Sequence, residues 1–198
     1  MPTEDQFRIA LVVVIVLTMA VTVYHRLRAA SSGETISHKD EGYLFAVMLR
    51  LAGLCLWIST FGYLLLPAYF QWAAMPLPPW LRWCGVVIGT LCSLLMYWTL
   101  SSLGKNLTDT VVARAKATLV TDGPYRWVRH PFYVTAALLM ASVTLLTANW
   151  LIGVSSVVVL ALLVIRTPKE EQVLIDRFGD DYRRYIATTG RFIPRLFR

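Results

Sequence analysis

The chain has 198 residues, of which 57% are hydrophobic and 16% are charged. One soluble core of this length would not need so much apolar surface, so the composition excludes an ordinary soluble domain and indicates apolar side chains that face lipid. The formal net charge of +7 is compatible with nucleic-acid binding or with a membrane protein, and the placement of the basic residues distinguishes the two.

Five apolar segments follow one another along the chain. A helix needs roughly 20 mainly apolar residues to cross about 30 Å of hydrocarbon, and the runs at residues 7–24, 43–66 and 80–100 meet that length. Two shorter runs, 132–146 and 150–165, are separated by only three residues, which predicts a helical hairpin that turns at one membrane face. The expected fold class is all-α: a polytopic membrane helical bundle with about five transmembrane helices.

The segment after the last span is predicted to form short cytosolic helices. Pro168 suits a first helical turn, Glu170 and Glu171 suit the positive end of a helix, and Gly179 suits its end. A second short helix is predicted at residues 180–187. The fold therefore includes a carboxyl-terminal cytosolic helical segment.

The basic residues of the loops fall on one side of the predicted bundle. They follow the first, third and fifth spans, whereas the opposite loops, 67–79 and 147–149, contain no Lys or Arg. The positive-inside rule then places the amino terminus outside and the carboxyl terminus in the cytosol. Nucleic acid is not needed to explain the charge. The cations concerned are Arg26, Arg28, Lys39, Lys105, Arg114, Lys116, Arg126, Arg129, Arg166 and Lys169.

Three other classes of feature are not expected. Cys55, Cys84 and Cys92 lie within predicted spans without paired or metal-type spacing, so they are interpreted as small packing residues, and no metal is expected. A strand followed by a Gly-x-Gly-x-x-Gly turn does not occur, which argues against a Rossmann domain. The first apolar run follows Glu4 and Asp5 rather than basic residues, so a cleaved signal peptide is not expected.

Two polar clusters flank the predicted hairpin at one membrane face. One cluster, which includes His130 and Tyr133, enters the hairpin, and the other, with Arg166, Glu170 and Glu171, leaves it. Because the two ends of a hairpin are adjacent, these groups form a candidate site for a charged small ligand at the mouth of the bundle. The alternative is an interfacial belt of aromatic and arginine residues next to a solvated helix start.

Four short motifs occur in order in the carboxyl-terminal half. They are Leu119-Val120-x-x-Gly123-Pro124-Tyr125, Arg129-His130-Pro131-x-Tyr133, Glu170-Glu171-x-x-Leu174 and Phe178-Gly179-Asp180-Asp181-Tyr182. This order resembles the isoprenylcysteine carboxyl methyltransferase family over about residues 103–194. The resemblance implies a membrane methyltransferase that uses S-adenosylmethionine, releases S-adenosylhomocysteine and has no Rossmann domain. Within a single membrane domain, 1–198, residues 1–100 would form three amino-terminal spans and 101–198 the catalytic region, with its helical hairpin at 132–165.

The resemblance also implies roles for individual residues. Arg166 would bind the substrate carboxylate, because its fork matches two carboxylate oxygens, and it would form the catalytic group with His130 and Tyr133. Glu170 would accept hydrogen bonds from the cofactor's amino group or ribose hydroxyls, with Glu171 as a further partner. The remaining cofactor-binding positions would form two walls of the site. One wall would consist of Ala117, Thr118, Leu119, Val120 and Tyr125. The other would consist of His130, Pro131, Phe132 and Tyr133.

The expected acceptor is lipophilic, most simply the carboxylate of an isoprenylcysteine-like or prenylated substrate whose chain stays in the lipid bilayer. A carboxylate with a reference pKa near 4 is already an anionic nucleophile at neutral pH, so the main task is positioning. Three alternatives stay open: a membrane sterol-type reductase that uses NADPH and shares the Arg-His-Pro-x-Tyr motif, a phospholipid or amine N-methyltransferase, and a binding or scaffold protein without catalysis.

Overall fold

The computed structural model describes residues 3–30, 43–104 and 118–195. Its architecture is all-α, with six α-helices: α1 (Glu4–Ala30), α2 (Tyr43–Leu65), α3 (Pro79–Leu103), α4 (Pro131–Thr147), α5 (Trp150–Phe178) and α6 (Asp180–Thr188). Two short 3-10 helices, Pro67–Ala73 and Gly123–Arg126, precede α3 and α4. Ala117 and the loop cations Lys39, Lys105, Arg114 and Lys116 lie outside the described residues.

All five predicted apolar helices are present. Helices α1, α2, α3 and α5 are long and apolar enough to cross a membrane, and α4 is a shorter apolar helix of 17 residues. At 1.5 Å per residue α4 is about 25 Å long. Large apolar side chains such as Ile9, Val16, Leu51 and Val157 are exposed on the outside of the bundle, where they face lipid. The prediction of a polytopic helical membrane bundle is confirmed.

The hairpin between α4 and α5 turns through two residues that lie outside helical geometry. Ala148 adopts a left-handed conformation with φ 44°. Asn149 caps α5, because its side-chain oxygen accepts from the backbone N–H groups of Leu151 (3.1 Å) and Ile152 (3.3 Å). The tight turn places α4 and α5 side by side, so the start of α4 and the far part of α5 lie at one end of the bundle.

The prediction that a separate helix begins at Pro168 is wrong. Pro168 lies inside α5, which continues to Phe178 before Gly179 ends it with φ 55°. A proline in a helix removes one backbone donor, but its side chain here is exposed, and Thr167 next to it still bonds the backbone through Oγ1 to the Leu163 carbonyl at 3.0 Å. The Gly179 stop and the short helix after it, α6, are confirmed.

Close packing in the bundle depends on small residues of α3, which packs extensively against α1 and α4. Gly85 and Gly89 are buried there. A Cβ added at Gly89 would lie 2.5 Å from Ser142 Oγ and 2.7 Å from a methyl of Val14. Small residues allow helix backbones to approach closely in membranes, so this Gly-x-x-x-Gly pair joins helices of one chain.

The three cysteines are unpaired, as expected. Cys55 and Cys84 are exposed and Cys92 is buried, where its Sγ donates to the Thr135 carbonyl at 3.0 Å. In the described ranges, no cluster of three or more His, Cys, Asp or Glu side chains could hold a metal ion.

The other end of the bundle contains an ion pair. The topology prediction considered only the cations of the loops and so did not include this pair, whose members lie within helices. Arg82 at the start of α3 donates to both oxygens of Glu4 (2.7 and 2.9 Å) and, twice, to the Leu146 carbonyl at the end of α4 (2.6 and 3.1 Å). Tyr63 of α2 also donates to Glu4, at 2.5 Å. This network joins the ends of four helices.

Candidate active site

The site lies where the chain enters α4. Gly123 turns the backbone with φ 60°, and the 3-10 helix that follows buries Pro124 and Tyr125. Pro131 occupies the first turn of α4, where the missing backbone N–H of proline has no cost. The helix therefore begins directly after His130, which fixes the imidazole at the mouth of the bundle.

Glu171 is at the centre of a buried charge cluster. One of its oxygens accepts from Arg129 Nε (2.9 Å) and from His130 Nε2 (3.2 Å), and the other accepts from Arg191 Nη2 (2.5 Å). The Glu171 side chain is only 6% exposed. Both carboxylate oxygens are thus engaged by groups of the chain itself, and Glu171 is held as an anion that positions three neighbours.

Glu170, the adjacent residue on α5, has a different environment. Its carboxylate accepts from the Tyr133 hydroxyl at 2.6 Å and pairs with Arg166 Nε at 2.9 Å, one helical turn earlier. The second ring nitrogen of His130 is 3.8 Å from its other oxygen. The Glu170 side chain is 16% exposed and that of Arg166 is 13% exposed, so this pair lies closer to the surface of the site than Glu171.

Aromatic rings form one side of the site. The rings of His130 and Tyr133 are stacked, with centroids 5.5 Å apart and planes inclined by 14°. Phe192 from the carboxyl-terminal segment lies 5.8 Å from the His130 ring and 6.4 Å from the Tyr133 ring. The Glu170 carboxylate and the stacked aromatic rings therefore lie side by side, which suits a ligand that carries both a positive charge and flat rings.

The segment after α6 is held against the entrance to α4. The backbone N–H groups of Arg129 and His130 donate to the carbonyls of Gly190 (2.8 Å) and Arg191 (3.1 Å). The Arg129 guanidinium also donates to the Thr189 carbonyl. A Cβ at Gly190 would lie 1.8 Å from the Ile193 carbonyl oxygen, so this close approach requires glycine. These contacts bring Arg191 and Phe192 into the site.

Helix α6 supports this segment through two buried tyrosines. Tyr185 donates to the Tyr125 carbonyl at 2.5 Å, which connects α6 to the 3-10 helix before α4. Burial raises the pKa of Tyr182 above its ordinary value, and the nearby charge of Glu171 raises it further. Burial likewise raises the pKa of Tyr185 and of Tyr125. All three phenols stay protonated at neutral pH and act as fixed packing and donor groups.

Five of the residues proposed for the site from the sequence are brought together in this cluster, namely His130, Tyr133, Arg166, Glu170 and Glu171. The other described candidates are not part of this cluster. Phe132 is half-buried and packs against Met96 and Leu100 of α3. Thr118 is exposed and Leu119 and Val120 are half-buried in the extended segment before the 3-10 helix. Tyr125 lies under α6, and Pro131 is buried at the start of α4.

Sequence reasoning assigned no role to Arg129, Arg191 or Phe192. Arg129 stood inside a recognised motif, so the signal was present but its partner was not evident from sequence. Arg191 and Phe192 follow Gly190 near the end of the chain, and only the pairing of that segment with residues 128–130 shows that they reach the site.

Comparisons with known proteins agree on one family. The model of the isoprenylcysteine carboxyl methyltransferase family matches residues 83–176. A protein-S-isoprenylcysteine O-methyltransferase of Dictyostelium discoideum is 23% identical over 186 residues, which cover 89% of this chain and 70% of that protein. The enzyme of the same name from Homo sapiens is 31% identical over 127 residues, which cover 62% of this chain and 44% of the human protein.

The fold has a counterpart among solved structures. A structure described as the eukaryotic intramembrane Ras methyltransferase, an isoprenylcysteine carboxyl methyltransferase, superposes with a TM-score of 0.53 at 21% identity, covering 93% of this chain and 67% of that one. The likeness extends over nearly all of the present chain and includes the amino-terminal helices. It supports the membrane fold described above.

Proposed function

We propose that this chain, which belongs to the isoprenylcysteine carboxyl methyltransferase family and is an integral membrane methyltransferase, uses S-adenosylmethionine to methylate the carboxylate of a lipophilic, isoprenylcysteine-like acceptor. The observation that supports the proposal is the difference in environment between two adjacent glutamates. Glu171 is engaged by three donors of the chain, whereas Glu170 lies nearer the surface between a phenol and a guanidinium.

The residues present fit the proposed methyl donor. Its amino and ribose hydroxyl groups are donors that the acceptor-only carboxylate of Glu170 can bind. The stacked rings of His130 and Tyr133, with Phe192 beside them, offer π faces to a sulfonium and an adenine. When bound, S-adenosylmethionine supplies an electrophilic methyl group on a sulfonium. We propose that Thr118, Leu119 and Val120 line the cofactor mainly through backbone groups. Tyr125, Pro131 and Phe132 would pack around this wall of the site.

The chain's own residues then act by binding and orientation. Glu171 holds His130 through Nε2, which leaves Nδ1 directed toward Glu170 at 3.8 Å. Arg166 pairs with Glu170 here, and we propose that it exchanges this partner for the acceptor carboxylate when substrate is bound. The acceptor is already an anion at neutral pH, so no general base is required, and the lipid-facing helices limit the access of bulk water.

The lipid tail of the acceptor would remain in the bilayer while its carboxylate reaches the site. We propose that the site faces the cytosol, with the amino terminus outside, because the loop cations lie at this end of the sequence-derived topology. Residues 1–100 would support the catalytic region, residues 101–198, through the packing of α3 on α4 and of α2 on α5.

The decisive experiment is calorimetric titration of the detergent-purified protein with S-adenosylmethionine, S-adenosylhomocysteine and NADPH. We expect binding of the two adenosyl ligands and a loss of about ten-fold or more in affinity for Glu170→Gln, because a hydrogen bond to a charged group is removed. Asp176→Asn is the matched control, since Asp176 is an exposed carboxylate on the same helix whose described partner is Gln172. Binding of NADPH alone would support the reductase alternative, which the comparisons do not favour.

The acceptor class is tested with the same preparation. Farnesylated cysteine with a free carboxylate should be methylated, whereas its carboxamide and the unprenylated amino acid should not. An Arg166→Gln variant should raise the KM for the farnesylated acceptor more than it changes the Kd for S-adenosylmethionine. Equal turnover of the carboxylate and the carboxamide, or methylation of a phospholipid amine instead, would contradict the proposed acceptor.

A further inference from the structure

A cavity lies at the end of the bundle opposite the candidate active site. It has a volume of about 310 Å³ and is lined by the starts of α1 and α3, the ends of α2 and α4, and the 3-10 helix Pro67–Ala73. The length of α4 separates it from His130 by about 25 Å, so it takes no part in the chemistry proposed above. Its volume is at the lower end of the range for small-molecule sites.

The charged residues that line this cavity are Arg8, Arg82 and Glu4. They give the lining a net charge of +1, from two cations and one anion. Arg82 is buried and donates to Glu4, to the Leu146 carbonyl and to Tyr63, so its hydrogen-bonding capacity is used within the protein. It is a structural group rather than a ligand-binding one.

Arg8 is the cation of the cavity with capacity left for a ligand. Its Nη1 contacts Asp5 at 3.4 Å, and the Asp5 side chain is 80% exposed, so solvent screens this pair. Within the described part of the chain, the buried Nε of Arg8 has no hydrogen-bond acceptor. A buried donor without an acceptor is costly, and an anion in the cavity would remove that cost.

The depth of the cavity indicates where such an anion comes from. Exposed aromatic side chains surround this end of the bundle, namely Tyr69, Trp72, Trp80 and Trp150. Trp72 and Trp150 pack edge to face with centroids 5.2 Å apart. Trp and Tyr concentrate at the depth of lipid headgroups, so a cavity at their level is adjacent to lipid phosphates rather than to bulk solution alone.

We propose that this cavity binds the phosphodiester of a phospholipid from the adjacent leaflet, with Arg8 as its principal ligand. The single negative charge of a phosphodiester matches the net charge of the lining. Arginine is well suited to the task because its planar fork pairs with two phosphate oxygens. Gln71, which is exposed and also lines the cavity, lies at the rim where the headgroup would enter.

The test measures the thermal stability of delipidated protein in a nonionic detergent as three probes are titrated: dioctanoyl phosphatidylglycerol, dioctanoylglycerol and inorganic phosphate. A ligand that binds only the native state raises Tm, and its stabilisation grows with the logarithm of 1 + [L]/Kd. We expect the phospholipid to raise Tm and dioctanoylglycerol to leave it unchanged. In Arg8→Gln the phospholipid concentration needed for the same shift should rise about ten-fold or more. Arg50→Gln, which removes an exposed arginine of α2, is the control and should respond like the wild type.

A pair of substitutions at Gln71 tests the sign of the charge without touching Arg8. Gln71→Glu should weaken phospholipid binding and Gln71→Lys should retain or strengthen it, although both remove the same amide. This pair decides the question even where Arg8→Gln fails to fold. Equal stabilisation by dioctanoylglycerol, an unchanged response in Arg8→Gln, or equal responses of the two Gln71 variants would overturn the proposal. Inorganic phosphate that stabilises as well as the phospholipid would overturn the lipid as the source of the anion.

Discussion

Exchange of the two adjacent glutamates for glutamine, one at a time, should give opposite outcomes. In Glu171→Gln the carboxylate that accepts from Arg129, His130 and Arg191 is lost, and the guanidinium of Arg129, whose side chain is 6% exposed, remains buried without its counter-ion. Removal of one partner of a buried ion pair costs about 3 to 5 kcal/mol. The Arg191 side chain is 41% exposed, so its share is screened like that of a surface pair, up to about 1 kcal/mol.

Because the glutamine amide oxygen can still accept from one of these donors, we expect a loss at the lower end of this range for Glu171→Gln, about 3 kcal/mol in the free energy of unfolding. For a chain of this size each kcal/mol shifts Tm by about 2 to 4 °C, which gives a decrease of about 6 to 12 °C. Glu170→Gln should decrease Tm by less than about 3 °C, because the amide oxygen still accepts from the Tyr133 hydroxyl and the Arg166 pair lies nearer the surface.

The assay combines a thermal melt in detergent with titration of S-adenosylmethionine for both variants. We expect Glu171→Gln to lose stability first, and Glu170→Gln to lose affinity with its stability retained. Addition of the cofactor separates the two further, since at the same concentration it should stabilise Glu171→Gln more than Glu170→Gln. A stable Glu171→Gln variant, or a Glu170→Gln variant that binds the cofactor normally, would refute the assignment of separate roles.

Two further substitutions test other parts of the structure. Gly190→Ala should weaken cofactor binding about ten-fold or more, since a Cβ would lie 1.8 Å from the Ile193 carbonyl oxygen and would displace Phe192 from the aromatic side of the site. Gly53→Ala in α2 is the control, because a Cβ there would meet nothing within 4 Å, and a fully active Gly190→Ala would contradict this account. Arg82→Met should decrease the free energy of unfolding by about 2 to 3 kcal/mol, because the Leu146 carbonyl loses its donor while Glu4 is half exposed. A thermal melt measures this decrease, an unchanged Tm would argue against the network, and cofactor affinity should stay within about two-fold of the wild type.

The membrane fold could be predicted from sequence because its signal is one of length and composition. The apolar runs predicted α2, α3 and α4 within a few residues, whereas α1 and α5 continue past the ends of their runs to Ala30 and Phe178. The three residues between the last two runs predicted the hairpin turn. The prediction of a helix start at Pro168 failed because it too was based on local sequence alone. A proline after an apolar run resembles a helix start, but the tertiary environment decides where a helix begins, and here α5 continues through Pro168.

The proximity of five candidate residues could be predicted from the sequence, but the geometry of their cluster could not. His130, Tyr133, Arg166, Glu170 and Glu171 could be grouped because a hairpin brings its two ends together. Sequence could not show which of two adjacent glutamates faces inward, since residues one apart on a helix lie about 100° apart and either face could be buried. The buried position of Glu171 depends on Arg191, which reaches it only through the backbone pairing of the last described segment with residues 128–130.

The arrangement of charges explains why this site uses two carboxylates where the ligand chemistry calls for one. Arg129 and His130 belong to one segment and Arg191 to another, and the two guanidinium groups would repel each other in a site at the mouth of an apolar bundle. Glu171 offsets the charge of both arginines and holds all three side chains in place. Glu170 accepts from the Tyr133 hydroxyl and pairs with Arg166, so it does not have that structural role. We therefore propose that one carboxylate organises the site so that its neighbour can exchange partners during binding.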